Sequence, residues 1–129
     1  MAGHHRRRNA GRTFFRQAFD RFLAWAEGEI KLSVARKDGK SVRWHLEKIA
    51  QATGKRPAPL DAHGTCPDGF GPVWEAFSKL SRRRQSGFGV QPISYADMDA
   101  FQRLHGVKFA PWQVEAIELT DALWLAQHG

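Results

Sequence analysis

Apolar and polar positions alternate along this chain mainly with the period of an α-helix, and most clearly over Pro92 to Gly129. Ser94 followed by Asp97 forms a capping-box pattern, which predicts a helix from Tyr95. Tyr95, Met98, Phe101 and Leu104 then lie on one stripe, and Gly106 supplies the backbone freedom that ends the helix. Pro111 fits the first position of a second helix, because its φ is already set and it has no N–H to leave unpaired. Trp112, Ala116, Leu119, Leu123 and Ala126 form one face of that helix, and Val114, Ile117, Thr120 and Trp124 widen it. A stripe this broad is more than one thin partner covers, so the helix is either central in its domain or meets another chain along one edge.

The same period appears upstream. Phe14, Phe15, Ala18, Phe19, Phe22, Leu23, Trp25 and Ala26 predict an aromatic-rich helix over residues 13–30, with Thr13 as its cap. The segment 31–36 alternates, and Lys37, Asp38, Gly39 and Lys40 form a turn. Residues 41–44 fit the return strand of a hairpin, but a helix over Val42 to Thr53, capped by Ser41 and ended by Gly54, fits the spacing better. Trp74, Phe77 and Leu80 mark a further helix over residues 73–80. Between these lies a Pro/Gly-rich stretch holding Pro57, Pro59, Pro67 and Pro72, read as a linker across the surface.

The reading is therefore an all-α fold: a small helical domain of about four helices ending in a helix-turn-helix pair. A disordered basic tail is expected over residues 1–12, an N-terminal helical region over 13–56, the linker over 57–72 and a C-terminal helical region over 73–129.

Charge divides the chain. The net charge is +7, yet residues 57–129 carry six Lys/Arg against eight Asp/Glu, so the basic excess belongs to the first 56 residues. A basic half attracts nucleic acid, acidic protein or anionic membrane without choosing among them. Arg6, Arg7, Arg8, Arg82, Arg83 and Arg84 are the candidate anion contacts. The predicted helix from Pro111 has three acids and no Lys or Arg, which counts against its being a DNA-recognition helix. A single cysteine, Cys66, rules out an intramolecular disulfide. No apolar run is long enough to predict a membrane span, and no apolar segment follows the N-terminal charges, so neither a membrane partner nor a secretory leader is expected.

Candidate chemistry adds little. His4 and His5 are adjacent on the expected tail, and His63 and Cys66 have metal-like spacing but no second pair to complete a shell. Gly87 and Gly89 lack the third glycine and the Lys-Ser/Thr of a phosphate loop. No nucleophile, base and carboxylate stand in an interpretable pattern, so no catalytic residue, metal or cofactor is predicted.

Three segments carry a family likeness: residues 41–60, residues 72–81 with the glycine-rich loop after them, and residues 92–126. Together they resemble the tail assembly chaperones of long-tailed phages and prophages, such as the lambda-type chaperone made by a programmed frameshift. The resemblance implies a non-enzymatic protein that binds the tape-measure protein and promotes tail tube assembly, with the tail tube protein as a further partner. It implies action in the host cytoplasm and absence from the mature virion, and it leaves homo-oligomerisation open. Trp74, Phe77, Phe101, Trp112 and Trp124 are the aromatic anchors it suggests for a partner. The rival expectation is a nucleic-acid-binding helix-turn-helix protein that uses the basic N-terminal half.

Overall fold

A computed structural model describes the backbone of residues 2–84 and 86–129, and the side chains of residues 11–84 and 87–129. Among these, five α-helices make up the chain: α1 (Ala2–Ser33), α2 (Val42–Thr53), α3 (Gly71–Arg82), α4 (Tyr95–His105) and α5 (Pro111–His128). One 3-10 turn covers Ala58–Leu60. Two-residue strands, β1 (Ser86–Gly87) and β2 (Gly89–Val90), pair antiparallel around Phe88.

Local chemistry explains the boundaries. Ser41 Oγ accepts from the Trp44 N–H and Ser94 Oγ from the Asp97 N–H, so both predicted N-caps form. Gly54 and Gly106 close their helices in the left-handed region, at φ 73° and 64°. At α5, Gln113 Oε1 accepts from the Ala110 N–H, and Pro111 opens the helix. The hairpin and the helix weighed around residues 37–44 share the segment. Ala35 bridges Ser41 across the Asp38–Gly39 turn, and Ser41 then starts α2.

Helix α5 packs against α1 and α3, α4 packs on α3, and α2 lies along α1. The core draws Phe19, Phe22 and Ala26 from α1, Val73, Ala76, Phe77 and Leu80 from α3, Met98 from α4, and Ala116 and Ile117 from α5. The regions divided at the linker thus share one interior. The linker contributes to it as well. Phe70 is buried and stacks on Phe22 at 4.9 Å, with its edges against Phe19 and Trp112. Leu60 is also buried. A proline-rich stretch makes few backbone hydrogen bonds of its own, but nothing prevents it from inserting single large side chains.

Two further features differ from the expectations. Helix α1 starts at Ala2, where a disordered tail was expected, and its side chains from Gly11 to Gln17 are exposed. Met1 and the side chains of residues 2–10 lie outside the described residues. On α5 the buried positions are Ala116, Ile117, Thr120 and Asp121, whereas Leu119 is 39% exposed. The inward face is set by two polar residues that find partners. Thr120 Oγ1 donates back to the Ala116 carbonyl at 2.7 Å, and Asp121 meets Arg84.

That meeting closes the glycine-rich loop. Arg84 Nη2 lies 2.6 Å from Asp121 Oδ1, with both side chains about 95% buried. The same guanidinium donates to the Gln91 carbonyl and to Ser81 Oγ, each at 2.9 Å, and lies 3.9 Å from the Trp124 ring centre. Asp121 Oδ2 accepts from the Ile93 N–H at 2.9 Å. The pair therefore brings its own hydrogen bonds and a ring face, which a buried ion pair needs to offset desolvation.

A close approach fixes the turn after Leu60. A Cβ on Gly28 would stand 2.5 Å from the His63 ring, so only glycine lets that ring reach Glu29, whose Oε1 is 2.8 Å from His63 Nε2. Glu29 Oε2 also accepts from Arg43 Nη2 at 2.7 Å, which ties α2 to α1.

Candidate functional site

The outer faces of α3 and α4 leave an open groove in two adjoining parts. One part, of about 710 Å³, runs between Leu80 and Arg82 on α3, with Arg83 just beyond it, and Phe101, Leu104 and His105 on α4. The other, of about 420 Å³, continues past Phe101 and His105 to Val107, Phe109 and Pro72. Lys79, Phe101 and His105 border both. From Pro72 to Arg82 the groove follows α3 for about 16 Å at 1.5 Å per residue.

Local structure sets an aromatic pair at the centre of a groove whose lining is otherwise mixed. The α4 stripe that steps by three faces two ways: Met98 enters the core, Phe101 is half-buried, and Leu104 and Tyr95 stand outside at 83% and 70% exposure. Phe101 stacks on Phe109 at 5.8 Å and carries the His105 ring 4.2 Å away. Gln102 Oε1 accepts from the Phe109 N–H at 2.7 Å and holds the turn that places Val107 and Phe109 there. The rim is basic. Lys79, Arg82, Arg83 and Lys108 border the groove, against Glu75 and Asp97. Lys79 pairs with Glu75 at 3.2 Å, while no carboxylate lies within ion-pair distance of Arg82, Arg83 or Lys108 among the described residues.

The sequence candidates separate. Phe101 lines the groove. Trp74, Trp112 and Trp124 are half-buried and pack against the core, Trp74 on Trp25, Trp112 on Phe15 and Phe70, and Trp124 under Arg84. Phe77 is 2% exposed and belongs to the interior, because α3 turns it toward the shared core. Arg82 and Arg83 are exposed, but Arg84 is not available to an anion, since Asp121 already occupies its guanidinium. Arg6, Arg7 and Arg8, like His4 and His5, have side chains outside the described residues. Leu104 and Val107 were missed as surface residues. The helical spacing of Leu104 reads as core, and the packing of α4 on α3 leaves it outside, while Val107 lies in the turn after Gly106.

His63 and Cys66 border a separate cleft of about 650 Å³ beside Trp25. His63 is held by Glu29, and the Cys66 thiol donates to the Pro67 carbonyl at 3.7 Å. Burial pushes the thiol above its ordinary pKa, which lowers its thiolate fraction. Among the described residues no three or more His, Cys, Asp or Glu side chains gather as metal ligands. No helix of the described residues is long and apolar enough to cross a membrane.

The described residues form a small, mainly helical module with an open groove of mixed polar and apolar lining under a basic rim. Its family is more particular. Residues 49–126 match the model of the family described as phage tail assembly chaperone, and the chain belongs to that family. Among curated proteins and among solved structures, none matches it. The matched span starts within α2, covers α3 and α4 and ends within α5, so it includes the whole groove.

Proposed function

We propose that this chain is a non-enzymatic chaperone that binds the tape-measure protein and keeps it competent for assembly while the tail tube protein polymerises around it. Family membership carries the reading. The physical need is clear: a long, partly apolar helical chain aggregates unless something covers it before the tube does. A cover of that kind needs exposed apolar side chains and a helix-accepting surface, and Leu104, Val107 and Phe101 supply them. The work is done in the host cytoplasm, and the chaperone leaves before the virion is complete.

The nucleic-acid reading has less support. Its recognition helix would be α5, whose inner face is buried against α1 and α3 and whose exposed positions include Glu115 and Glu118. Co-expression with the proteins of the neighbouring tail genes, followed by affinity purification across a salt series, tests the proposal. The expected result is a complex with the tape-measure protein that survives high salt. Tight DNA binding with a steep salt dependence, and no tail protein retained, overturns it.

A further inference from the structure

We infer that the groove between α3 and α4 is the client site, and that it selects an amphipathic helix flanked by acidic side chains. The inference rests on the chaperone reading and adds where the client lies and which chemistry it presents. Three observations combine. The groove follows α3 for about 16 Å, the length of about eleven residues of a bound helix. Its lining offers Phe101 and Phe109, half-buried, and Leu104 and Val107, exposed, as apolar side chains for one face of that helix to meet. Its rim leaves Arg82, Arg83 and Lys108 without carboxylate partners among the described residues.

The basic rim decides between occupants. Residues 57–129 are acidic overall, yet four of their six Lys/Arg border this groove. Part of that concentration serves the C-terminus of α3, where positive charge offsets the helix dipole. Lys108 lies outside α3 and has no such role there. A helix flanked by Glu and Asp would bring counter-charges to both edges, while a basic helix would meet repulsion along the same length. A second copy of this chain is the nearest competitor, since α5 exposes Glu115 and Glu118 beside Leu119. That face offers one large apolar side chain, too thin to fill a groove three turns long.

The test uses the full chain and two synthetic eighteen-residue helical peptides. They share one Leu stripe at i, i+3, i+4 and i+7 and differ only in their flanks, Glu in one and Lys in the other. Fluorescence anisotropy reads binding. The expected result is that the Glu peptide binds about tenfold or more tightly than the Lys peptide, that the preference narrows as salt rises, and that Leu104→Glu removes binding. Leu104 is exposed, so this variant should fold, which circular dichroism checks. Leu119→Glu, outside the groove lining, should leave binding unchanged. Equal binding of both peptides, or binding that survives Leu104→Glu, overturns the assignment. So does sedimentation showing self-association that Leu104→Glu and Leu119→Glu both abolish, which makes a second copy the occupant.

Failure of this site and failure of the chaperone reading can be told apart. If the tape-measure protein still co-purifies with Leu104→Glu, the groove is wrong and the chaperone reading stands. If wild type binds the Glu peptide but retains no tail protein, the groove stands and the client is a different acidic helix.

Discussion

Helices α4 and α5 are neighbours in the chain and look alike as amphipathic segments, yet they have opposite fates. Helix α5 buries four residues, among them a threonine and an aspartate, between α1 and α3. Helix α4 buries Met98 alone and leaves Tyr95 and Leu104 in solvent. The difference lies in how many neighbours each helix has. A stripe covered on two sides becomes core, while a stripe covered on one side becomes core at one edge and surface at the other. Apolar content alone therefore does not tell structure from binding surface in this chain.

The comparison can be tested from its strongest contrast downward. Asp121→Ala leaves the Arg84 guanidinium buried without its partner, which should cost about 3–5 kcal/mol and shift the urea midpoint accordingly. Replacing both with apolar residues of similar size, as in Arg84→Met with Asp121→Leu, should recover much of that loss, because the penalty belongs to the orphaned charge. If the double variant is as unstable as the single one, the clamp's bonds to Gln91 and Ser81 matter more than its charge. Ile117→Ala, at a fully buried site on α5, should cost about 2–5 kcal/mol by the same measurement. Ser94→Ala removes the cap of α4 and should cost about 1 kcal/mol. Leu104→Ala should change stability by less than about 0.5 kcal/mol, since its side chain already meets water. A large loss there would mean that Leu104 packs in solution, and α4 would then be core like α5.

Much of this was legible in the residues. Ser41, Gly54, Ser94, Gly106 and Pro111 act locally, through their own backbone angles and nearest N–H groups, and they set the boundaries of α2 and α4 and the start of α5 as expected. The family likeness rested on the order of these same segments, and the match over residues 49–126 lies inside the span that carried it. What sequence reasoning missed depends on contacts between distant residues. Asp121 and Arg84 are separated by 37 positions, and nothing local distinguishes Arg84 from the exposed Arg82 and Arg83 beside it. Phe70 sits in a proline-rich stretch whose composition reads as surface, yet it stacks at the centre of the aromatic core. Gly28 offered a faint signal: a glycine inside a strong helical pattern often marks a close approach, and the His63 ring is what approaches.

The Arg84–Asp121 clamp also shapes how the molecule moves. It joins the chain just past α3 to the middle of α5 and holds Gln91 and Ile93 as well, so α4 and the turn leading to α5 form an excursion closed at its base. Such an excursion can open and reclose while the bracket beneath it stays shut. Backbone amides of α4 should therefore exchange with deuterium well before those of α5 around Ile117, with local opening for the first and global unfolding for the second. The groove would then widen or narrow with α4 while the fold around it is kept, and the frequency of that breathing, rather than the shape of the resting surface, would set how fast a client helix enters.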